Sequence, residues 1–565
     1  MEKSKLQGDK SLYVCQRKVC AQMCTDKRSK YFSDLIASNS GDQRALVSIV
    51  NKLFDKTKSS SSLPHHDNSN DLANKFNKFY IDKVQQLRSK IPVSSHTPNV
   101  NDFNGTVMDS FRPTTVEELR EIIKANGIKT SFHDVLPAKL LKQVIEELLP
   151  HLCVLVNKSL STGSVEGIKE SIIVPLLKKA GLDAEILKNY WPVADLLFLS
   201  KLSERVVSIR LHEHMGMNNL HSKHEHGYKK YHSTETLLLC LVNDILLSLD
   251  CNHATLLLLI DLSAAFDTVD IDLLLQVMEF EIGVSGIALD WFESFLRGRN
   301  QRVLIENSLS DILKVNVGVP QGSVLGPVLF NIYIRSLFVL IEQCGFSTSG
   351  YADDNNAHRS FTLHFQHKII TEKLPDLMKK ISQWMNRYFL KINPDKTENI
   401  LFVPSNMKNV PTINGSFIDG TCIRFSNTVT NLGFTLDKFL NMENQVNGVV
   451  SLCYKMLNDV GRHRHLLSDK DTEFLMHAIV SSRLDYCNVL LYSLNRDVIY
   501  KLQKVQNAAA RLIYKQKKSE SVSDVLADLH WLKVEERIIF KLLVLTFKCF
   551  HKIAPDMLSN LISIR

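Results

Sequence analysis

At 565 residues, 44% of them hydrophobic and 23% charged, the chain has the composition of a globular protein with a sizeable core, which excludes a fibrous or wholly disordered one. A net charge of +8 permits a polyanionic partner without demanding one. The eleven cysteines are scattered and odd in number, as in a reduced intracellular protein; the opening "MEKSKLQGDK" lacks the apolar segment of a secretory signal, and no apolar run is long enough to cross a bilayer.

Residues 1–110 read as a polar linker region with helical patches near 30–54 and 71–90 around a loop-like stretch, "KTKSSSSLPHHDNSND" (56–71). Cys15, Cys20 and Cys24 invite a metal knuckle, but they lack C-x2-C spacing and a partner histidine, so a solvated helix is the reading. "PTTVEELREIIKANG" from Pro113 offers Thr115 as N-cap, Glu118 three residues on and Gly127 beyond the end, a capped amphipathic helix. A strand follows at 171–177, then helices at 200–215 and 235–250. In "HATLLLLIDLSAAFD" (253–267) an apolar run ends on Asp261, as in a buried central strand that delivers a carboxylate. Helices near 271–280 and 285–297, a strand at 302–305 and a helix entered through "GVPQGSVLGPVLFNIYI" (318–334) come next. After "GYADD" (350–354), the pattern predicts a helix over 377–393, a strand over 396–403 and a helical tail from about 442.

Asp353 and Asp354 alone carry little weight, since paired aspartates often cap solvated turns. Asp261 adds more, because no Lys or Arg lies between Leu256 and Val269 to neutralise it locally. Three carboxylates converging from adjacent strand ends repel one another unless divalent cations intervene, as in a two-metal nucleotidyl-transfer site. Hard oxygen ligands favour Mg²⁺.

The ordered series "KNYWPVADLLFLSKLSERVV" (188–207), "HGYKKYHSTETLLL" (226–239), "LIDLSAAFDTVD" (259–270), "GVPQGS" (318–323), "GYADD", "WMNRYFLKINPDKTENILF" (384–402) and "NLGFTLD" (431–437) resembles the reverse transcriptase domain of non-LTR, LINE-type, jockey-like retrotransposons. The resemblance runs from about residue 110 to the end. It implies an α+β right-hand polymerase fold with helical extensions: a polar helical region over 1–110, fingers over 111–235, a palm with an antiparallel sheet over 236–440, and a thumb with a helical C-terminal region over 441–565. It further implies Asp261, Asp353 and Asp354 as metal-binding catalytic carboxylates for two Mg²⁺ ions, with Lys396 as a general acid toward pyrophosphate or simply a solvated lysine. Lys178 or Lys179 would meet the triphosphate, and Tyr351 belongs to the nucleotide site. Phe266 would exclude a ribose 2′-OH, pack as a core aromatic, or do both. Gly318, Pro320, Gln321 and Gly322 resemble the loop lining the nucleotide pocket, and Leu432 and Gly433 a primer grip or a plain β-turn.

The implied partners are an RNA template, a DNA primer or target DNA, and dNTPs, with work in the nucleus and cytoplasm. The chain departs from the family at Trp191, where an arginine is usual, and at "NNAHRS" (355–360), a poor strand sequence that would weaken the hairpin. The stretch before residue 110 is expected to be too short for the endonuclease of full-length relatives, as in an endonuclease-less fragment of the second open reading frame. The alternative to an RNA-directed DNA polymerase is a nucleic-acid-binding remnant with weak or no turnover; another palm-type enzyme would not need "GVPQGS". His221, His224, His226 and His232, mixed with lysines, suit a basic RNA-facing surface better than a metal site. The Lys501, Lys504, Arg511, Lys515, Lys517 and Lys518 series reads as a solvated helix face or a template-primer contact.

Overall fold

The structure, a computed structural model, describes residues 7–53, 63–91, 103–165, 167, 169–179, 181–404, 416–418, 421–492 and 494–562. The loop expected at 56–71 lies outside the described residues as far as 62. The chain divides into two compact units. One comprises Ser61–Leu237 and Asp244–Val429; the other comprises Met1–Ser60, Leu238–Asn243 and Thr430–Arg565.

The first unit mixes helices with two five-stranded sheets. Its strands in chain order are β1 (Glu170–Leu177), β2 (Tyr190–Asp195), β3 (His253–Ile260), β4 (Arg299–Ile305), β5 (Ser308–Leu309), β6 (Leu313–Val315), β7 (Ser347–Tyr351), β8 (Asp354–Thr362), β9 (Glu398–Phe402), the paired β10 (Ser416–Ile418) and β11 (Thr421–Ile423), and β12 (Phe425–Ser426). One sheet runs β12-β9-β3-β8-β7, with β3 antiparallel to both β8 and β9. Central position explains why β3 is apolar nearly throughout: Leu256, Leu257, Leu258 and Ile260 are all buried. Phe330, Tyr333, Leu337 and Phe338 of the Gly326–Gln343 helix join the same core.

The other sheet runs β2-β1-β4-β5, with β6 on β4. The Ser69–Ser89 helix packs on it through Leu72, Phe76 and Tyr80, which meet Ile173, Tyr190, Val303 and Ile305 in a separate apolar cluster. Asn77, buried in that contact, donates to Ser310 Oγ and the Asp311 carbonyl at 2.9 Å each and accepts from Gln301 Nε2 at 2.8 Å. At the end of the helix Arg88 pairs with Asp270 at 2.5 Å. This helix therefore belongs to the same packed unit as the sheets.

The sequence signals meet the structure unevenly. Thr115 caps the Val116–Asn126 helix by accepting from the Glu118 N–H at 3.2 Å, and Gly127 ends it at φ 68. The Glu118 carboxylate grips Arg210 through two 2.7 Å bonds. The helix expected over 377–393 stops at Arg387. Phe389 turns left-handed at φ 51, and residues beyond it pair with the segment that follows β3, Leu262 and Ile392 forming an isolated antiparallel bridge. Helical periodicity cannot foresee this, because the competing partner lies about 130 residues earlier. The weak strand expected at 355–360 is instead the nine-residue β8, paired on both sides. Its asparagines are buried and partly satisfied: Ser349 Oγ donates to Asn356 Oδ1 at 3.1 Å and Asn355 Nδ2 donates to the Asp353 carbonyl at 3.2 Å, while Asn355 Oδ1 is left without a hydrogen-bond partner. Central placement in a sheet overrides low strand propensity.

The second unit is built of helices, among them Gln7–Ala37, Gln43–Leu53, Glu443–Arg462, Arg496–Tyr514 and Val534–Phe550. The Arg496–Tyr514 helix buries Val498, Leu502, Val505, Ala509 and Ile513 on one face. Arg464 is buried and ties the unit together, donating to the backbone carbonyls of Leu512 at 2.9 Å and Ile513 at 2.5 Å. Cys15, Cys20 and Cys24 are exposed on the first helix. Among the described residues no helix is long and apolar enough to cross a membrane.

Candidate active site

Strand register assembles the acids. Ile260 pairs with Asn355 across β3 and β8, so the next step along each strand brings Asp261 and Asp354 to the same end of the sheet. Tyr351 pairs with Asp354 across β7 and β8, which leaves Ala352 and Asp353 as a two-residue loop. Ala352 adopts φ 60, the left-handed region, where a hairpin loop ordinarily carries glycine. For a residue with a side chain this costs on the order of 1–2 kcal/mol, a strain that persists only where the surroundings hold it.

Asp261 is fixed by the Lys391–Lys396 segment. The Asn393 N–H donates to the Asp261 carbonyl at 2.9 Å, Asn393 Nδ2 donates to Oδ2 at 3.0 Å, and Lys396 Nζ stands 3.6 Å from that same oxygen. The counter-charge missing from the local sequence thus arrives from a remote turn. Lys396 itself is 68% exposed, free to meet a ligand as well.

Asp261, Asp353 and Asp354 open onto one cleft of about 550 Å³, shared with Lys83, Lys178 and Lys396. Burial pushes the Asp354 carboxyl up to about 6, and repulsion from Asp353 and Asp261 adds to the rise against the pull of Lys396. Asp353 is raised by burial first and Asp261 second. Both residues nevertheless keep solvent contact at the cleft mouth. Lys178 is held below the usual ammonium range by burial and by repulsion from Lys83, Lys396 and Lys188. Its Nζ donates to the Lys188 carbonyl at 2.6 Å.

The rest of the cleft comes from two loops and a strand. Phe266 lines it while stacking on Phe330 at 4.6 Å and 25°, so one ring serves both core and cleft. Gln321 Nε2 donates to Asp267 Oδ1 at 2.7 Å, and its carbonyl accepts from the Ala194 N–H at 2.9 Å. Gly322 follows at φ 104, where a Cβ would come within 2.6 Å of the Ala194 carbonyl oxygen, so only glycine fits. Pro320 and Trp191 complete this side, Trp191 being 53% exposed. Burial pushes Asp267 up to about 6, against Lys83 and Gln321.

Several expected site residues stand elsewhere. Lys179 is exposed and does not line the cleft, unlike its neighbour Lys178. Tyr351 is not in the lining either; Tyr228 is, with its ring 6.4 Å from that of Tyr351. Gly318 lines an adjoining 400 Å³ cavity that shares Lys83, Asp267, Pro320 and Gln321 with the cleft. Leu432 and Gly433 belong to the other unit, at the turn between strands Thr428–Asn431 and Phe434–Asp437, both with positive φ as a two-residue hairpin of the primed type requires. The basic histidine surface is corrected as well: His224 and His226 are buried. His224 packs with its ring nitrogens on the Thr348 carbonyl at 3.0 Å and Glu342 at 3.1 Å, and burial drives His226 down to about 3, so it is neutral.

Sequence reasoning missed Lys83, Tyr228 and Asp267. Lys83 sits on a helix whose periodicity marks only its buried face, and nothing local tells which solvent-side lysine ends at a cleft. Asp267 was within reach, six residues after Asp261 at the end of the same motif.

A sequence profile described as reverse transcriptase (RNA-dependent DNA polymerase) matches residues 177–436, the stretch that supplies all of these cleft residues except Lys83. That stretch is therefore similar to a reverse transcriptase domain. The chain is similar to the probable RNA-directed DNA polymerase from transposon BS of Drosophila melanogaster, 27% identical over 64% of this chain and 40% of that protein. It is likewise similar to that from transposon X-element of the same fly, 24% identical over 78% of this chain and 48% of that protein, and to the RNA-directed DNA polymerase from mobile element jockey, 24% identical over 59% and 36%. The chain spans under half the length of these curated relatives.

Proposed function

We propose that the protein is an RNA-directed DNA polymerase of the non-LTR retrotransposon type, which joins a deoxynucleotide to a primer 3′-OH on an RNA template. The carrying observation is the convergence of Asp261, Asp353 and Asp354 on one cleft beside Lys83, Lys178 and Lys396. Among the described residues no group of three or more His, Cys, Asp or Glu is arranged to hold a metal ion. The donor chemistry nevertheless suits one: three hard carboxylates, two of them raised partly by mutual repulsion that a divalent cation relieves. Asp261, Asp353 and Asp354 would hold Mg²⁺, two ions in this reading, which when bound supplies Lewis acidity at the transferring phosphate.

The chain's own groups supply the rest. Lys178 and Lys83 offer point charges to a triphosphate, and Lys396 can give a proton to departing pyrophosphate. Phe266 limits the space for a ribose 2′-OH, and Gln321 and Gly322 present a close backbone to the nucleotide. Leu432 and Gly433 would act as primer grip in a right-hand arrangement of fingers, palm and thumb. RNA, target DNA and dNTPs are the partners this implies, with work in cytoplasm and nucleus. One observation favours the alternative of a binding remnant: Trp191 stands exposed on the cleft where the family's arginine would clamp phosphate oxygens.

Primer extension separates the two. The purified chain with Mg²⁺ is expected to extend oligo(dT) on poly(rA) with dTTP. Tight binding of that hybrid with no extension would leave the remnant reading standing instead.

A further inference from the structure

The segment His224–Gly227 has no part in the chemistry above, yet it grips the catalytic hairpin from outside the sheet. Gly350 donates its N–H to the His224 carbonyl at 2.9 Å and accepts from the His226 N–H at 2.9 Å, so the segment adds beside β7 as a short parallel bridge. Asn331 Nδ2 holds the far end through the Gly227 carbonyl at 3.3 Å. From this bridge the Glu225 side chain, 4% exposed, reaches the loop itself: Oε1 accepts from the Ala352 N–H at 3.2 Å and from the Gly227 N–H at 2.5 Å. Gly227 is pressed so close that an added Cβ would lie 2.9 Å from the Ala352 nitrogen.

The physical demand for such a contact is specific. Ala352 is 5% exposed, and the first central residue of a two-residue hairpin has no ladder partner for its N–H. Its left-handed backbone also needs support from outside the turn. On the opposite flank, the Asp353 carbonyl is held by Asn355 Nδ2 at 3.2 Å. Glu225 thus supplies the one acceptor that fixes the entry to the turn, and the turn aims the next two residues, Asp353 and Asp354.

We propose that Glu225 is a positioning residue: its Oε1, backed by the close approach of Gly227, sets the backbone of Ala352 and thereby the pose of the Asp353 and Asp354 carboxylates. This rests on the polymerase reading for its kinetic consequence and on geometry alone for its structural one.

Both consequences are measured on the full chain, with Glu225→Leu removing the acceptor at similar volume and Glu225→Gln keeping it. Amide hydrogen exchange in the 348–356 stretch is expected to speed up roughly tenfold in Glu225→Leu and to stay at the wild-type rate in Glu225→Gln. Single-turnover incorporation on an RNA–DNA hybrid should fall roughly ten- to a hundredfold in Glu225→Leu with hybrid affinity unchanged, and be retained in Glu225→Gln. Wild-type exchange in Glu225→Leu overturns the proposal, as does loss of protection in Glu225→Gln equal to that in Glu225→Leu. If Glu225→Leu gives no cooperative melt, Gly227→Ala, which crowds the same nitrogen with Glu225 in place, is expected to show the same faster exchange; wild-type exchange there is a refutation. A wild-type chain inactive on the hybrid would sink the polymerase reading, while the exchange result would still decide the role of Glu225.

Discussion

Glu225 is also the clearest electrostatic anomaly at the scale of single residues. Burial pushes its carboxyl up to about 7, opposed by the N–H groups of Gly227, Ala352 and His226 and by Lys229. A raised carboxyl pKa means that the folded state keeps a proton which the unfolded chain releases near 4.5. The group's contribution to stability is therefore fully present below that value and is lost as pH climbs through 7, with on the order of 3 kcal/mol at stake. Glu225→Gln imitates the protonated form without titrating. Its melting temperature is expected to match that of wild type near pH 4.5 and to exceed it by a few degrees at pH 8. Parallel melting profiles across that range would show that the carboxylate ionises freely.

At the scale of elements, the Ser69–Ser89 helix is the informative case. It lies outside the matched reverse transcriptase stretch, yet it brings Lys83 to the carboxylate cleft and is held there by a buried amide. Asn77→Ala removes the acceptor of the buried Gln301 Nε2 and the donor to Ser310 Oγ and the Asp311 carbonyl, and is expected to destabilise the chain by about 1–3 kcal/mol, read from the urea midpoint of unfolding. No shift in that midpoint would mean that the helix is not part of the cooperative unit. The elements that the sequence made legible share a trait: their signal is local. The Thr115 cap, the apolar run of β3 and the amphipathic Arg496–Tyr514 helix each depend on neighbours within a turn or two. The stop at Arg387 and the strand through Asn355 and Asn356 do not. The first depends on pairing with residues 261–263, the second on burial between two strands, and neither partner can be read from the segment itself.

At the scale of the whole molecule, the motif order announced the cleft more fully than its chemistry. Asp261, Asp353, Asp354, Lys396, Phe266 and the Pro320–Gly322 loop come together from four separate stretches, which a strand register and one hairpin explain. What stayed hidden is the supporting cast: Lys83 from a helix ahead of the matched stretch, and the Glu225 contact with the turn. Both are long-range and leave no periodic trace. The central claim is that the three aspartates act as one group, and single-turnover incorporation of one deoxynucleotide by the full chain on an RNA–DNA hybrid with Mg²⁺ tests it most directly. Asp261→Asn, Asp353→Asn and Asp354→Asn should each fall to the same floor, the Asp353→Asn with Asp354→Asn pair no lower than either alone, with hybrid binding intact. A wild-type rate in any one of the three would contradict the account.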